Sequence, residues 1–147
     1  MIDEQTLTNR FERNRSPFLE HLGVRFAVTD SGPEMRCVIG ERHMRSHDIA
    51  HGGVLCTLLD TALGACAYAA AHERLVETQS ELVTLQLEIH FLRPAWNGEE
   101  LTGRGEVVHH GRSTLVVRGD LTNAAGDRIA SGAGTFVPTN IAPKPNA

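Results

Sequence analysis

The sequence predicts an α+β domain in which one antiparallel sheet wraps around a single long helix, with a short helical segment in front. Three observations lead there. The stretch from Val54 to Ala71 is apolar nearly all round, so it calls for surroundings on every side. Two strand-like segments precede it, with turn residues between them. Four more follow, joined by short turns, which means antiparallel neighbours. With 147 residues, 41% apolar and 22% charged, the chain is one domain by size and can bury a real core. Only 5% of residues are aromatic, so that core must be aliphatic.

Leu7, Phe11, Phe18 and Leu19 recur among charges over residues 3–21. They mark an amphipathic helix, interrupted at Ser16-Pro17, that caps the domain or lies along a neighbouring subunit. Leu22–Asp30 and Met35–Glu41 read as a hairpin around Ser31-Gly32-Pro33-Glu34. An irregular approach then leads to His51-Gly52-Gly53 and the long helix, after which His72–Ser80 reads as a polar connection. In Glu81–Leu92, Val83, Leu85, Leu87, Ile89 and Phe91 fall on one face; Thr84, Gln86, Glu88 and His90 fall on the other. Glu100–His109, Ser113–Thr122 and Arg128–Val137 complete the set, with turns at Pro94–Gly98, His110–Arg112 and Asn123–Asp127. Gly132, Ala133 and Gly134 leave room for something bulky. The domain is expected to end at 138, and the proline-broken tail, 139–147, to be disordered.

Composition also excludes. The net charge of −4, with no local basic cluster, argues against a nucleic-acid partner. The polar N-terminus has no apolar signal region. Val54–Ala71 is about long enough to span a bilayer, but its alanines, its glycine and Asp60 favour a core helix, so no membrane partner is expected. Cys37, Cys56 and Cys66 make no disulfide framework; Cys56 and Cys66 would lie roughly 15 Å apart on one helix. Reduced thiols suit a cytoplasmic protein.

Chemistry concentrates around the helix. Gly52 and Gly53 stand at its entrance, where unpaired N–H groups meet the positive end of the helix dipole. Glycine lets a ligand reach those donors, as an oxyanion hole requires, although a plain helix cap would also use it. Asp60 lies about two turns further in. A carboxylate in an apolar helix needs a partner, an edge in water, or a cleft in which it acts as base or nucleophile on an acyl group.

The stretch HDIAHGGVLCTLLDTALGACAY resembles the HGG-x6-D-x-A signature of acyl-CoA thioesterases of the PaaI-like family, which have the hotdog fold. The resemblance extends to LVTLQLEIHFLRP, the Gly98-Glu99 turn and RIASGAGTF, covering roughly residues 20–138. It implies hydrolysis of an acyl-CoA, aromatic or medium-chain, with no cofactor beyond the coenzyme A of the substrate. Asp60 matches the catalytic carboxylate, and the Gly52 N–H matches the donor that polarises the thioester carbonyl. His51 matches the residue supporting that loop. Thr84 falls where relatives place a hydroxyl that helps hold the water, reached from the opposite subunit. Such sites lie across a homodimer interface, and dimers often pair into homotetramers. Many relatives carry Asn or Gln seven residues before the first glycine; here that position is Arg45, followed by Ser46, and Asp48 replaces a second loop glycine. Either Arg45 or His47 takes over that contact, or the site has drifted.

Arg93, Arg118 and the turn His110-Gly111-Arg112-Ser113 are candidates for coenzyme A phosphates, since guanidinium groups grip phosphate in a fork. A solvated hairpin tip is the plainer reading of that turn. His43, His47 and His51 recur every fourth residue, a spacing that could bind metal on a helix. The segment is irregular, however, and no metal is expected. The rival to a thioesterase is an acyl-CoA-binding module without turnover on the same fold; a hotdog dehydratase or hydratase ranks below both.

Overall fold

The computed structural model describes residues 3–13 and 16–140. Helices α1 (Glu4–Arg13) and α2 (Pro17–Leu22) come first, then strands β1 (Arg25–Thr29) and β2 (Gly32–Val38). A single turn of 3-10 helix at Glu41–His43 leads to α3 (Gly52–Thr78). Strands β3 (Glu81–Phe91), β4 (Glu100–His110), β5 (Leu115–Thr122) and β6 (Arg128–Thr139) follow. All pairings are antiparallel, in the order β1-β2-β4-β5-β6-β3. The sheet wraps α3 and buries Leu55, Leu58, Leu59, Ala62, Leu63, Ala67, Ala71 and Leu75. This is the expected hotdog architecture.

The N-terminal segment breaks where expected. Pro17 occupies the first turn of α2, where its missing N–H costs nothing, so it starts a helix. The polar connection expected at His72–Ser80 is instead the last two turns of α3. Ala71 and Leu75 are buried four residues apart while Glu73, Val76 and Glu77 face out, so polarity marked an exposed face, not a loop. The helix stops at Gln79, in the left-handed conformation at φ 51°, whose N–H caps Leu75 and Val76 carbonyls.

Three further expectations change. β3 and β4 are not neighbours: β3 pairs with β6, because the connection 92–99 crosses the end of the roll, where Trp96 bridges Ile49. The small residues of β6 make room for the protein's own helix rather than for a ligand. A Cβ at Gly132 would run into the Glu88 carbonyl and reach within 2.9 Å of Leu59. β6 also continues to Thr139, paired with Glu81, so the expected tail boundary moves; residues 141–147 lie outside the described residues.

On β2, Glu34 is a buried carboxylate gripped by Arg36 and Arg104. Burial alone would push its carboxyl up, but hydrogen bonds from Arg104 and Arg36 outweigh that and hold it below the usual range. The pairing therefore stabilises the fold fully above the unfolded carboxyl's pKa and is lost as pH falls through the folded one. Glu34→Gln is expected to cost about 1–2 kcal/mol at neutral pH, discounted because both guanidinium groups reach solvent. Denaturant melts of both proteins should converge as the medium becomes acidic.

Cys37 and Cys66 have thiols pushed up by burial, and Cys66 also by Glu106. All three cysteines are free. Alkylation of the native protein at neutral pH should mark Cys37 and Cys66 only slowly, with full labelling after unfolding, as peptide mapping would read.

Candidate active site

The entrance to α3 is built by its histidines. The buried ring of His43 donates from Nε2 to the Leu22 carbonyl at 2.7 Å and accepts the Gly40 N–H on Nδ1 at 2.9 Å. Its own carbonyl accepts the His51 N–H at 2.8 Å, which fixes where the helix begins. Between them, His47 and Asp48 stand in the left-handed region at φ 73° and 58°, and the Arg45 N–H closes the turn on the Ile49 carbonyl. Asp tolerates that conformation better than most residues, so Asp48 can stand where the family pattern has glycine. The three histidines thus hold different posts and share no helical face.

His51 is the N-cap, its Nδ1 accepting the Gly53 N–H at 2.9 Å. Its carbonyl accepts the N–H groups of Val54 and Leu55. Of the first-turn donors, the Gly52 N–H alone has no acceptor among the described residues. A Cβ on Gly52 would meet the edge of Phe91 at 3.5 Å, so the ring walls the donor on one side. Periodicity showed Phe91 only as a strand residue; nothing in the sequence pointed to its place over Gly52.

Asp60 is half-buried on α3, and its Oδ1 accepts the Thr84 hydroxyl at 2.8 Å. This corrects two expectations. Thr84 reaches Asp60 within one chain, not from an opposite subunit. It also shares a face with Leu82, Leu87 and Ile89, because a bulge between Thr84 and Gln86 turns Leu85 outward, 66% exposed. Strict alternation would have turned Thr84 away from the helix that carries the carboxylate. The second carboxylate oxygen has no hydrogen-bond partner among the described residues.

The remaining candidates do not gather at one point. Arg93 lies past Phe91 at the Gly52 end, its guanidinium donating to the Arg128 carbonyl at 3.3 Å. His110 borders a cavity of about 310 Å³ with Ala69–Arg74, near the opposite end of α3, so Gly111, Arg112 and Ser113 belong to that far end. Arg118 is paired with Glu106 at 2.8 Å. Arg45 is exposed, and its guanidinium has no partner among the described residues. No single-chain patch therefore unites Arg93 with the hairpin tip.

A family profile described as thioesterase superfamily matches residues 47–130. The chain is 30% identical over 110 residues to acyl-coenzyme A thioesterase PaaI of Escherichia coli, covering 74% of this chain and 73% of that one. It is also 30% identical over 100 residues to the medium/long-chain acyl-CoA thioesterase YigI of Escherichia coli, covering 63% of this chain and 64% of YigI. The match thus spans just under two thirds of YigI, as it does, at 64%, of a relative from Archaeoglobus fulgidus. Among solved structures, BH2602 of Bacillus halodurans, crystallised with CoA, superposes with a TM-score of 0.73 at 27% identity, covering 91% of this chain and 83% of that one. The PaaI structure shares the fold at a TM-score of 0.75, with 93% and 94% covered.

Proposed function

Because the chain belongs to the thioesterase superfamily, we propose that it hydrolyses an acyl-CoA to the free acid and coenzyme A, at a site shared by two subunits. The observation that carries this reading is the division of labour along α3: a helix entrance with one unsatisfied N–H at Gly52, and a carboxylate at Asp60 oriented by Thr84. The Gly52 N–H would hold the thioester carbonyl oxygen and stabilise the negative charge that develops there. The free oxygen of Asp60 would take a proton from water as the water oxygen bonds to the carbonyl carbon. Collapse of the tetrahedral intermediate then breaks the C–S bond, and the sulfur leaves as thiolate and takes up a proton. Direct attack by Asp60, giving an anhydride that water then opens, uses the same groups.

Both groups cannot serve one thioester from one chain. Eight residues of helix separate Gly52 from Asp60, roughly 12 Å of rise, whereas attacking oxygen and oxyanion donor must each lie about 3 Å from adjacent atoms. A second copy laid antiparallel would bring its Gly52 beside this Asp60. β3 is an edge strand, and Leu85, Phe91, Leu92 and Trp96 around it are exposed, an apolar border suited to such a partner. That arrangement would also let one coenzyme A meet Arg93 of one subunit and the hairpin tip of the other. We take the homodimer, pairing of dimers, one domain over the described residues and a cytoplasmic setting for the free thiols as parts of this reading.

The departure at Arg45 favours one alternative, a module that binds acyl-CoA without turning it over. Release of free thiol from a panel of aliphatic and aromatic acyl-CoAs, run beside equilibrium binding of the same ligands, separates the two. Turnover supports the hydrolase; binding with no thiol release replaces it with the module.

A further inference from the structure

Gly64 stands one turn beyond Asp60, and packing does not demand a glycine there. An added Cβ would meet only the Phe136 ring, at an ordinary 3.5 Å. Glycine is a poorer helix former than alanine, and the core does not require it here, so the open space points to a role other than core packing. It opens onto a cavity of about 850 Å³. Gly64 and Tyr68 of α3 and Leu82 of β3 form its floor; Phe11 of α1, Leu19 of α2 and Phe26 of β1 form its roof.

The cavity begins one turn from Asp60: its lining takes in Thr61 and Gly64 but neither Asp60 nor Thr84. Asp60, Gly64 and Tyr68 are spaced by four and lie along one helix face, and Leu82 shares its strand face with Thr84. From Asp60 to Tyr68 this stripe runs roughly 12 Å. At its far end the wall becomes polar. Arg10 grips both oxygens of Glu81 at 2.9 Å and lies 5.0 Å over the Tyr68 ring. The Tyr68 hydroxyl meets His72 Nδ1 at 2.9 Å. This latch ties α1 to β3, one edge of the sheet, while Phe11 stacks on Phe26 of β1, the other edge, at 4.3 Å. The N-terminal helix thereby roofs the open side of the roll.

We propose that this cavity receives the acyl group, that its length selects straight apolar chains of medium length, and that Gly64 is the residue setting that limit. The inference rests on Asp60 being the reacting carboxylate. The apolar part of the lining, from Gly64 and Leu82 to Phe11, Leu19 and Phe26, suits an alkyl chain, and the charged groups Arg10, Glu12, Glu20, Arg25 and Glu81 also line it. The polar latch stops the chain, since a longer one would press methylenes against Arg10 and Glu81.

The test compares wild type with Gly64→Ala and Gly64→Leu. Each replaces glycine by a better helix former, so thermal melts should show both folded. The ratio of kcat/KM for decanoyl-CoA over acetyl-CoA is expected to fall in the order wild type, alanine, leucine, by about tenfold or more for leucine. Binding of the non-hydrolysable thioether decyl-CoA, followed by calorimetry, should weaken in the same order. If wild type hydrolyses acyl-CoAs but neither ratio nor binding moves by more than about twofold, the pocket assignment is overturned while the thioesterase stands. If wild type releases no thiol, decyl-CoA binding decides alone: weakening in Gly64→Leu supports the pocket on a non-catalytic protein, and unchanged or absent binding overturns it.

Discussion

Asp60→Asn is expected to lower kcat by about two to four orders of magnitude with little change in KM, the range for loss of a positioned general base. The substitution is nearly isosteric. The Thr84 hydroxyl that now donates to Oδ1 at 2.8 Å can donate equally to an amide oxygen, so the side chain should keep its place. What disappears is the oxygen able to accept a proton or form a bond to carbon. Stability should hold, because the side chain keeps its shape and its hydrogen bond from Thr84. Steady-state thiol release together with a thermal melt reads both. A fall confined to KM, or a kcat within about tenfold of wild type, would remove Asp60 from the chemistry and leave it a structural carboxylate tied to Thr84. Thr84→Val, which keeps the carboxylate but frees its orientation, should cost less than Asp60→Asn.

The sequence showed the parts of this site that depend on local pattern and missed those that depend on packing. The apolar run with helical spacing announced α3, and Gly-Gly before it announced an accessible helix entrance. His51 caps the helix, and Asp48, a departure from the family's glycine, holds a left-handed turn; both posts are set by local chemistry. The bulge at Leu85 was invisible: nothing in LVTLQLEIHF marks the residue at which alternation slips, yet that slip brings Thr84 to Asp60. The pairing of β3 with β6 was missed for a related reason, since turn length speaks only for consecutive strands. Glycines misled. Gly132 and Gly134 suggested ligand space and make room for Leu59, Leu63 and the backbone of β3, whereas Gly64 borders the cavity. A sequence records that a side chain is absent; only the surroundings say what fills its place.

Gly52→Pro is expected to lower kcat by about two to three orders of magnitude, the usual loss for one oxyanion donor, while leaving the fold intact. Proline suits the first position of a helix, and it removes one N–H and nothing else that the helix uses. The preceding residue, His51, already has φ −65° and ψ 139°, the extended conformation that proline requires before it. A Cβ at Gly52 finds Phe91 at 3.5 Å, an ordinary contact. The variant also decides where the site lies. Gly52→Pro and Asp60→Asn subunits should each be nearly inactive alone. If the donor and carboxylate of one site come from different subunits, a mixed dimer holds one site with both changes and one with neither. Random reassortment of equal amounts makes half the dimers mixed, so about a quarter of wild-type activity should return. If each site were built within one chain, every site in the mixture would carry one lesion and no activity would return. Co-expression with two different tags, followed by assay of the doubly purified dimer, raises the expected recovery to about half and removes any dependence on subunit exchange.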